Sequence, residues 1–295
     1  MNAPFYTLDV FTDQTFTGNP LAVVTDAEGI SEGDLLAIAK EFNLSETAFV
    51  YPASDPKNAA RVRIFTPARE LPFAGHPTVG TAILLSTIRE LQDGEVRLEQ
   101  AVGLVPVQVH RTGATPFAQL AVAKLPERIK SPATRAMIAS ALRISAGDIV
   151  ERGPDPAVYT CGVPFLFAEL RDRSALARCK PDPVAWQEFG AELEGIFVYS
   201  RDPERPGSAL RARVFAPALS VPEDPATGSG CAALAGYLHQ RDLLKSGTHR
   251  WRIEQGYEMG RPSILDLECD VERDAITAVR VGGNAVIVSR GELLL

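Results

Sequence analysis

Apolar residues along the chain fall into many short runs and a few longer helical patterns. Runs rich in β-branched and aromatic residues, bounded by Gly, Pro, Asp and Asn, are typical of strands. In the first half they predict strands at Phe5–Phe11, Ala48–Tyr51, Val62–Phe65, Val96–Leu98 and Val105–His110. Between the first two of these runs, apolar residues recur at helical spacing, which predicts a helix at Glu32–Phe42.

A second helix, predicted at Thr78–Leu91, has a different pattern. Its first two turns are small or apolar on every side, as in a helix enclosed by protein. The segment Thr227–Leu238 in the second half has the same character. We therefore expect each half to form a strongly curved sheet around one buried helix.

The two halves also share short motifs in the same order, which indicates tandem duplication of a unit of about half the chain. The paired segments lie about 144 to 155 residues apart. They are Gly18–Val23 with Gly162–Phe167, Glu46–Tyr51 with Glu194–Tyr199, Arg63–Pro67 with Arg213–Pro217, His76–Gly80 with Asp224–Gly228, and Leu98–Gln100 with Ile253–Gln255.

These patterns predict an α+β fold of two pseudo-symmetric lobes, each a curved, mostly antiparallel sheet around a buried central helix. We place the first lobe at residues 1–126 and the second at 127–295. Residues 125–148 form the expected connection, with a helix starting at Ser131-Pro132. A last strand near Ala285–Arg290 could return to the first lobe.

Composition narrows the possible partners. The chain has 295 residues and a net charge of −7, and its basic residues are dispersed, which argues against nucleic acid as a partner. No apolar run is long enough to span a membrane, and the first residues lack the pattern of a signal peptide, so we expect a cytoplasmic protein. The four cysteines are widely spaced and are expected to be free thiols.

Candidate chemistry lies where the two buried helices start. Both follow Gly- and Pro-containing turns, and a helix N-terminus offers N–H groups and partial positive charge to an anion such as a carboxylate. His76 and Asp224 lie in these turns, and Glu46 precedes a strand. A histidine and two carboxylates in one cleft could move a proton between two atoms of a substrate.

Structural alternatives exist for each of these residues. Asp224 could be a helix N-cap, His76 a hydrogen-bonding residue at a helix start, and Glu46 a solvated loop acid. The turn glycines could serve only close helix–sheet packing. We interpret Glu194, the counterpart of Glu46, as structural.

Four motifs together resemble the phenazine-biosynthesis PhzF-like isomerases. They are Gly18-Asn-Pro-Leu-Ala-Val, Leu44-Ser-Glu-Thr-Ala-Phe-Val, Pro72-Phe-Ala-Gly-His-Pro-Thr-Val-Gly and Glu223-Asp-Pro-Ala-Thr-Gly-Ser, and the resemblance extends over nearly the whole chain. It implies a fold similar to that of diaminopimelate epimerase, an active site between the lobes, no cofactor or metal, and a homodimer.

The resemblance also implies roles for individual residues. Glu46 would be the acid/base that shifts a proton, with His76, Asp224 and Ser229 lining the site. The remaining implied contacts are backbone groups at Gly75 and Gly228, which would help to bind the substrate carboxylate, and the side chain of Asn19.

A comparison with diaminopimelate epimerases argues against two-thiol racemisation. Those enzymes carry a catalytic cysteine in each turn before a buried helix, whereas the matching positions here are Ala74 and Thr227. Neither residue can form a thiolate. Cys231 lies one turn further along its helix and is interpreted as a packing residue.

We therefore hypothesise a cofactor-independent isomerase that shifts a proton and a double bond within a small carboxylate-bearing metabolite. The type reaction of the resembled family is isomerisation of trans-2,3-dihydro-3-hydroxyanthranilate. The main alternative is a non-catalytic protein that binds a carboxylate metabolite or a partner, since fold does not fix function. An amino-acid epimerase or racemase is a weaker alternative.

Overall fold

Strand pairings in the first half of the chain recur in the same order in the second half. They are seen in a computed structural model that describes residues 2–152, 155–190, 193–217, 221–241 and 243–295. The chain forms two compact units. Unit 1 comprises Met1–Ala121 and Gly282–Leu295, and unit 2 comprises Val122–Val281.

Unit 1 begins with a strand and contains one helix outside its sheet and one buried helix. Its helices are α1 (Glu32–Phe42) and α2 (Gly75–Ile88). Its strands are β1 (Asn2–Val10), β2 (Asn19–Val24), β3 (Glu46–Tyr51), β4 (Ala60–Phe65), β5 (Glu70–Leu71), β6 (Gly94–Gln100), β7 (Gly103–His110) and β8 (Phe117–Ala121).

Unit 2 repeats this plan with additional short helices. Its helices are α3 (Arg135–Leu142), α4 (Arg173–Arg178), α5 (Pro183–Trp186) and α6 (Gly228–Gln240). Its strands are β9 (Glu127–Ile129), β10 (Ala157–Thr160), β11 (Pro164–Glu169), β12 (Gly195–Ser200), β13 (Leu210–Ala216), β14 (Val221–Asp224), β15 (Gly247–Gln255) and β16 (Ser263–Glu272). A last strand, β17 (Ala275–Leu294), starts in unit 2 and ends in unit 1.

The repeated pairings combine antiparallel and parallel neighbours. In unit 1, β1 pairs antiparallel with β2, and β2 pairs parallel with β3. The strand β4 pairs antiparallel with β3 and β5 and parallel with β6. The strand β6 pairs antiparallel with β7. In unit 2, the strands β10, β11, β12, β13, β14, β15 and β16 pair in the same sequence of directions. The duplicated motifs therefore correspond to duplicated topology.

Equivalent side chains also make equivalent contacts in the two units. Glu99 in β6 and Glu254 in β15 each accept backbone N–H groups from the turn between two preceding strands. The donors are Ser54 and Asp55 in unit 1, and Glu204 and Arg205 in unit 2. Because these contacts recur at the motif Leu-Glu-Gln and its counterpart Ile-Glu-Gln, the repeat extends to individual hydrogen bonds.

Each unit encloses one helix. In α2, every residue from His76 to Ser86 is buried, and α6 is buried from Gly230 to Leu238. A methyl group on Gly80 would lie 2.6 Å from Leu21 Cδ2 and 2.8 Å from Val10 Cγ2, so glycine lets α2 approach β1 and β2 closely. This approach brings the start of α2 near the start of β3.

Some element boundaries differ from the predicted ones. The helix α2 starts at Gly75, three residues before the predicted Thr78, since a proline such as Pro77 is tolerated in a first helical turn. The helix predicted to start at Ser131-Pro132 starts instead at Arg135, because the Thr134 side chain caps it by accepting the Met137 N–H. The sequence patterns do not predict the strands β2, β5 and β8 of unit 1.

The boundary between the units also differs from the predicted residue 126. Unit 1 ends at Ala121 and then regains Gly282–Leu295. The reason is that β17 pairs antiparallel with β1 over the full length of β1, from Asn2 opposite Leu294 to Val10 opposite Ala285. In the part of the chain that the structure describes, no helix is long and apolar enough to cross a membrane.

Candidate active site

Glu46 is the first residue of β3 and lies beside β2, where it pairs with Leu21 in parallel register. Its side chain is only 18% exposed. Burial raises the pKa of Glu46 from 4.5 to about 7, and a hydrogen bond from the Ser45 hydroxyl opposes this shift. A carboxyl with a pKa near neutrality can both accept and release a proton.

His76 faces Glu46 from the first turn of α2. The histidine is buried, and its Nδ1 lies 3.6 Å from Glu46 Oε2. Ala74 occupies the N-cap position of this helix, where its side chain makes no capping hydrogen bond. A second group able to carry a proton is therefore held beside the carboxyl by a rigid buried helix.

Asn19 joins this group through Ser45. The Ser45 hydroxyl donates to Asn19 Oδ1 at 3.2 Å, and Asn19, the first residue of β2, is fully buried. The preceding Gly18 has φ of 68°, and a side chain there would meet the Val10 carbonyl oxygen at 2.5 Å. Only glycine fits this turn, which fixes where Asn19 enters its strand.

The remaining predicted residue of unit 1, Gly75, is the first residue of α2. Its backbone belongs to the helix end where N–H groups lack intrahelical acceptors and where the helix dipole favours an anion. Unit 1 thus brings together Glu46, His76 and Asn19, with Gly75 adjacent to His76. Their roles in binding or catalysis stay predictions.

In unit 2, Asp224 is the last residue of β14, and two neighbours bond it, Thr227 at the carboxylate and Gln255 at the backbone carbonyl. The Thr227 hydroxyl donates to Asp224 Oδ2. Gln255 donates through Nε2 to the Asp224 carbonyl at 2.7 Å and to Thr227 Oγ1 at 3.0 Å, while its Oε1 accepts the Thr227 N–H at 3.1 Å. The residue at the N-cap position of α6 is Thr227, so Asp224 is not the N-cap of that helix.

The other predicted residues of unit 2 open α6. Gly228 is its first residue and is buried, and Ser229 follows and is half-buried. Asp224, Gly228 and Ser229 thus cluster at the start of the second buried helix, as Gly75 and His76 do at the first. Their contacts with a ligand stay predictions.

Sequence reasoning missed two residues that hold the predicted ones. Ser45 and Gln255 bond Asn19 and Asp224, respectively. For Gln255, the sequence signal was the repeat, in which Gln100 occupies the matching position. In the structure, Gln100 likewise bonds a buried helix, since it donates to Thr78 Oγ1 of α2 at 2.8 Å. For Ser45, the only signal was its position next to Glu46.

The cysteines are poorly suited to thiolate chemistry. Burial raises the pKa of Cys161 and of Cys179 to about 12 and that of Cys269 to about 11. Burial also raises the pKa of Cys231, which is fully buried on α6. A thiol is nucleophilic only as the thiolate, so these environments disfavour the two-thiol racemase alternative.

No group of three or more His, Cys, Asp or Glu side chains among the described residues is arranged to hold a metal ion.

Sequence and structure comparisons place the chain among known proteins. A family described as phenazine biosynthesis-like protein (PhzC-PhzF) matches residues 8–291. An uncharacterized isomerase of Mesorhizobium japonicum is 40% identical, with 97% of each chain covered. The trans-2,3-dihydro-3-hydroxyanthranilate isomerase of Pseudomonas chlororaphis is 33% identical, with 98% of each chain covered.

Solved structures share the fold. A PhzF-family phenazine biosynthesis protein of Bacillus anthracis matches with a TM-score of 0.89 and 22% identity over 100% of both chains. A probable proline racemase of Agrobacterium radiobacter matches with a TM-score of 0.64 and 12% identity, covering 99% of this chain and 93% of the other. These two likenesses establish a mixed α+β fold of the PhzF and proline-racemase type. The family match over residues 8–291 and the full-length relatives named isomerases identify the protein as a member of the phenazine biosynthesis-like PhzC-PhzF family and an isomerase of that family.

Proposed function

We propose that the chain is a cofactor-independent isomerase that moves a proton, and with it a double bond, within a small carboxylate-bearing metabolite. The substrate class is that of trans-2,3-dihydro-3-hydroxyanthranilate, which is acted on by the relative from Pseudomonas chlororaphis. The observation that carries the proposal is a half-buried Glu46 with a pKa raised to about 7 and His76 Nδ1 at 3.6 Å from its carboxylate.

In this mechanism, ionised Glu46 removes a proton from a carbon of the substrate. The electrons of the broken C–H bond form a new double bond, and the electrons of the old double bond move to the far carbon. That carbon then takes the proton back from Glu46, so Glu46 ends the reaction ionised and no oxidant or reductant is consumed. His76 positions the carboxyl and can share its proton.

The remaining predicted residues hold the substrate. N–H groups at the starts of α2 and α6, around Gly75 and Gly228, would bind the substrate carboxylate and stabilise charge as electrons shift. Asp224 and Ser229 would bond polar groups of the substrate. The resemblance implies that Asn19 contacts the substrate directly. Because Asn19 is fully buried and accepts a hydrogen bond from Ser45, we propose instead that it holds Ser45, the residue next to Glu46.

The test follows deuterium from solvent into substrate carbon. The parent protein is incubated in deuterated water with trans-2,3-dihydro-3-hydroxyanthranilate and a panel of small unsaturated carboxylates, and incorporation is followed by NMR. Removing a general acid/base lowers rates by on the order of 10²- to 10⁴-fold, so Glu46→Gln should lose exchange to that extent. Glu194→Gln, the same change at the matching position of the repeat, should keep the parent rate.

Two outcomes would reject the proposal. Exchange near the parent rate in Glu46→Gln would remove Glu46 from the acid/base role. Tight calorimetric binding of these carboxylates by the parent protein, without exchange of any of them, would favour the non-catalytic binding protein.

A further inference from the structure

The side chain of Gln255 spends its hydrogen bonds on one turn of unit 2. Its Oε1 accepts the Thr227 N–H at 3.1 Å, and its Nε2 donates to the Asp224 carbonyl at 2.7 Å and to Thr227 Oγ1 at 3.0 Å. An amide nitrogen has two hydrogens to donate, so both are in use. Gln255 therefore bonds the first and the last residue of the turn 224–227 at once.

Thr227 connects Gln255 to the carboxylate of Asp224. A hydroxyl carries one hydrogen, and its oxygen can accept a second hydrogen bond. Because Thr227 Oγ1 accepts from Gln255 Nε2, its own hydrogen points away from Gln255, and the hydroxyl donates it to Asp224 Oδ2. The direction of the Asp224 carboxylate thus depends on a hydroxyl that Gln255 orients.

The helix itself does not account for the bonding of this hydroxyl. Thr227 occupies the N-cap position of α6, but its side chain makes no capping hydrogen bond. A threonine at an N-cap usually accepts an N–H of the first helical turn and so stabilises the helix. Here the hydroxyl bonds Gln255 and Asp224 instead, which indicates a role in holding the carboxylate.

The backbone around Gln255 is well suited to hold this turn. Gln255 is buried and ends β15, which pairs with β16 along its whole length. The next residue, Gly256, has φ of 77°, and a methyl group there would lie 2.7 Å from the Pro225 carbonyl oxygen. Glycine therefore lets the end of β15 lie directly against the turn that follows Asp224.

The matching glutamine of unit 1 makes different contacts. Gln100 Nε2 donates to Thr78 Oγ1 at 2.8 Å, and its Oε1 is buried without a hydrogen-bond partner among the described residues. The N-cap residue of α2 is Ala74, which has no hydroxyl. The repeat thus places a glutamine against the start of each buried helix, and in unit 2 that glutamine is additionally linked to a carboxylate.

We propose that Gln255 is a positioning residue that fixes the Asp224 carboxylate for substrate binding. It holds the backbone carbonyl of Asp224 directly and the carboxylate through the Thr227 hydroxyl. This inference rests on the substrate contact proposed above for Asp224. It adds to that contact the two residues that set its direction.

The first test is a crystal structure of Gln255→Met without substrate. Methionine is similarly long and unbranched, but it removes both N–H donors and the carbonyl acceptor. Because the Asp224 carbonyl and the Thr227 N–H then lose their partner, the Asp224 carboxylate should move by about 1 Å, enough to weaken a contact with substrate. The matched control is Gln240→Met at the other end of α6, where Gln240 accepts a hydrogen bond from the Tyr159 hydroxyl at 2.6 Å. It should leave Asp224 in place.

The second test separates substrate binding from folding, with trans-2,3-dihydro-3-hydroxyanthranilate as the probe. Gln255→Met should raise KM by about 10- to 100-fold, as expected when a hydrogen bond to a charged group is weakened. The value of kcat should change little, because a contact made equally in the bound substrate and the transition state affects KM. A residue needed only for folding would instead lower the apparent kcat at constant KM. Gln240→Met should keep both values.

Thr227 offers an independent pair of variants. Thr227→Val removes the hydroxyl at nearly constant volume, so it should raise KM as Gln255→Met does. Thr227→Ser keeps the hydroxyl and should keep the parent KM. When Gln255→Met and Thr227→Val are combined, the rise in KM should be smaller than the product of the two single effects, because both act on the same carboxylate.

An Asp224 carboxylate that keeps its parent position in Gln255→Met would overturn the proposal, and so would a parent KM in that variant. If Gln255→Met does not fold, Thr227→Val decides, and an unmoved Asp224 carboxylate in its crystal structure overturns the proposal. The crystal structures contain no substrate, so their result is independent of the proposed isomerase activity, which is judged by deuterium exchange in Glu46→Gln.

Discussion

Two opposing contributions set the pKa of Glu46. Burial raises the pKa of its carboxyl to about 7, and the hydrogen bond from Ser45 limits the rise. An unfolded chain would give the same group a pKa near 4.5. The folded protein therefore keeps a carboxyl whose ionised form it solvates poorly, as is common where a general acid/base is needed.

This difference predicts a pH-dependent gain in stability for Glu46→Gln. Well below pH 4.5 the carboxyl is protonated in both the folded and the unfolded protein, so it does not change the free energy of unfolding. As pH rises through 4.5 to 7, the unfolded chain ionises first, and the parent protein loses stability until the folded group ionises as well. The shift from 4.5 to about 7 corresponds to at most about 3 kcal/mol above pH 7.

Urea unfolding at several pH values checks this prediction. The free energy of unfolding of Glu46→Gln minus that of the parent should increase from pH 4.5 to pH 8. Glu194→Gln, the same change at the matching position of the repeat, is measured in parallel. A difference for Glu46→Gln that does not change with pH would show that the Glu46 carboxyl titrates normally.

Sequence reasoning could find Glu46 and His76 but not what supports them. His76 stands out because the repeat has Asp224 at its matching position. Glu46 has a glutamate, Glu194, at its matching position, and it stands out through the motif Leu44-Ser-Glu-Thr-Ala-Phe-Val that carries the family resemblance. The structure places the side chains of Glu46 and His76 together. Ser45 was not identified, because its acceptor Asn19 lies 26 residues away and no local pattern reports such a contact. Gln255 was likewise seen as part of a repeated motif without its partners.

At the scale of elements, local signals set some boundaries and tertiary packing sets others. The predicted helix Glu32–Phe42 is confirmed by α1 with the same bounds. Ser31 caps its start, and Asn43 ends it in the left-handed conformation, so local capping residues predict both ends. In contrast, α2 is apolar on all sides, and an enclosed helix gives no periodicity from which its start could be read.

Packing around α2 gives a second prediction. Gly80→Ala would place a methyl group 2.6 Å from Leu21 Cδ2 and 2.8 Å from Val10 Cγ2, forcing α2 away from β1 and β2. Such overpacking costs about 1–3 kcal/mol, and the displaced His76 should also lower isomerase activity. Thermal unfolding and exchange rates measure the two effects.

Gly33→Ala is the matched control within the same unit. The nearest atom to a methyl group there is Ser31 Oγ at 3.9 Å, an ordinary van der Waals distance, so the methyl group fits without displacing a neighbour. Replacing glycine by alanine inside a helix stabilises by about 0.5–1 kcal/mol. Equal effects at Gly80 and Gly33 would contradict the close approach of α2 to the strands.

At the scale of the whole molecule, the sequence repeat corresponds to duplicated strand pairing and duplicated hydrogen bonds. The chain end departs from this repeat, since Gly282–Leu295 belongs to unit 1. A short motif could indicate the duplication, but only the pairing of β17 with β1 shows where the last residues belong. That pairing spans nearly the whole chain, so local sequence contained little sign of it. The expected homodimer stays a prediction.

The central claim is that Glu46 transfers a proton to and from a substrate carbon. The most direct measurement is a crystal structure of the protein with an unreactive aromatic analogue of trans-2,3-dihydro-3-hydroxyanthranilate. The account predicts a Glu46 carboxyl oxygen about 3–3.5 Å from the ring carbon that exchanges its proton, as in a near-attack geometry. A well-ordered analogue with that carbon out of reach of Glu46, and another base beside it, would contradict the account.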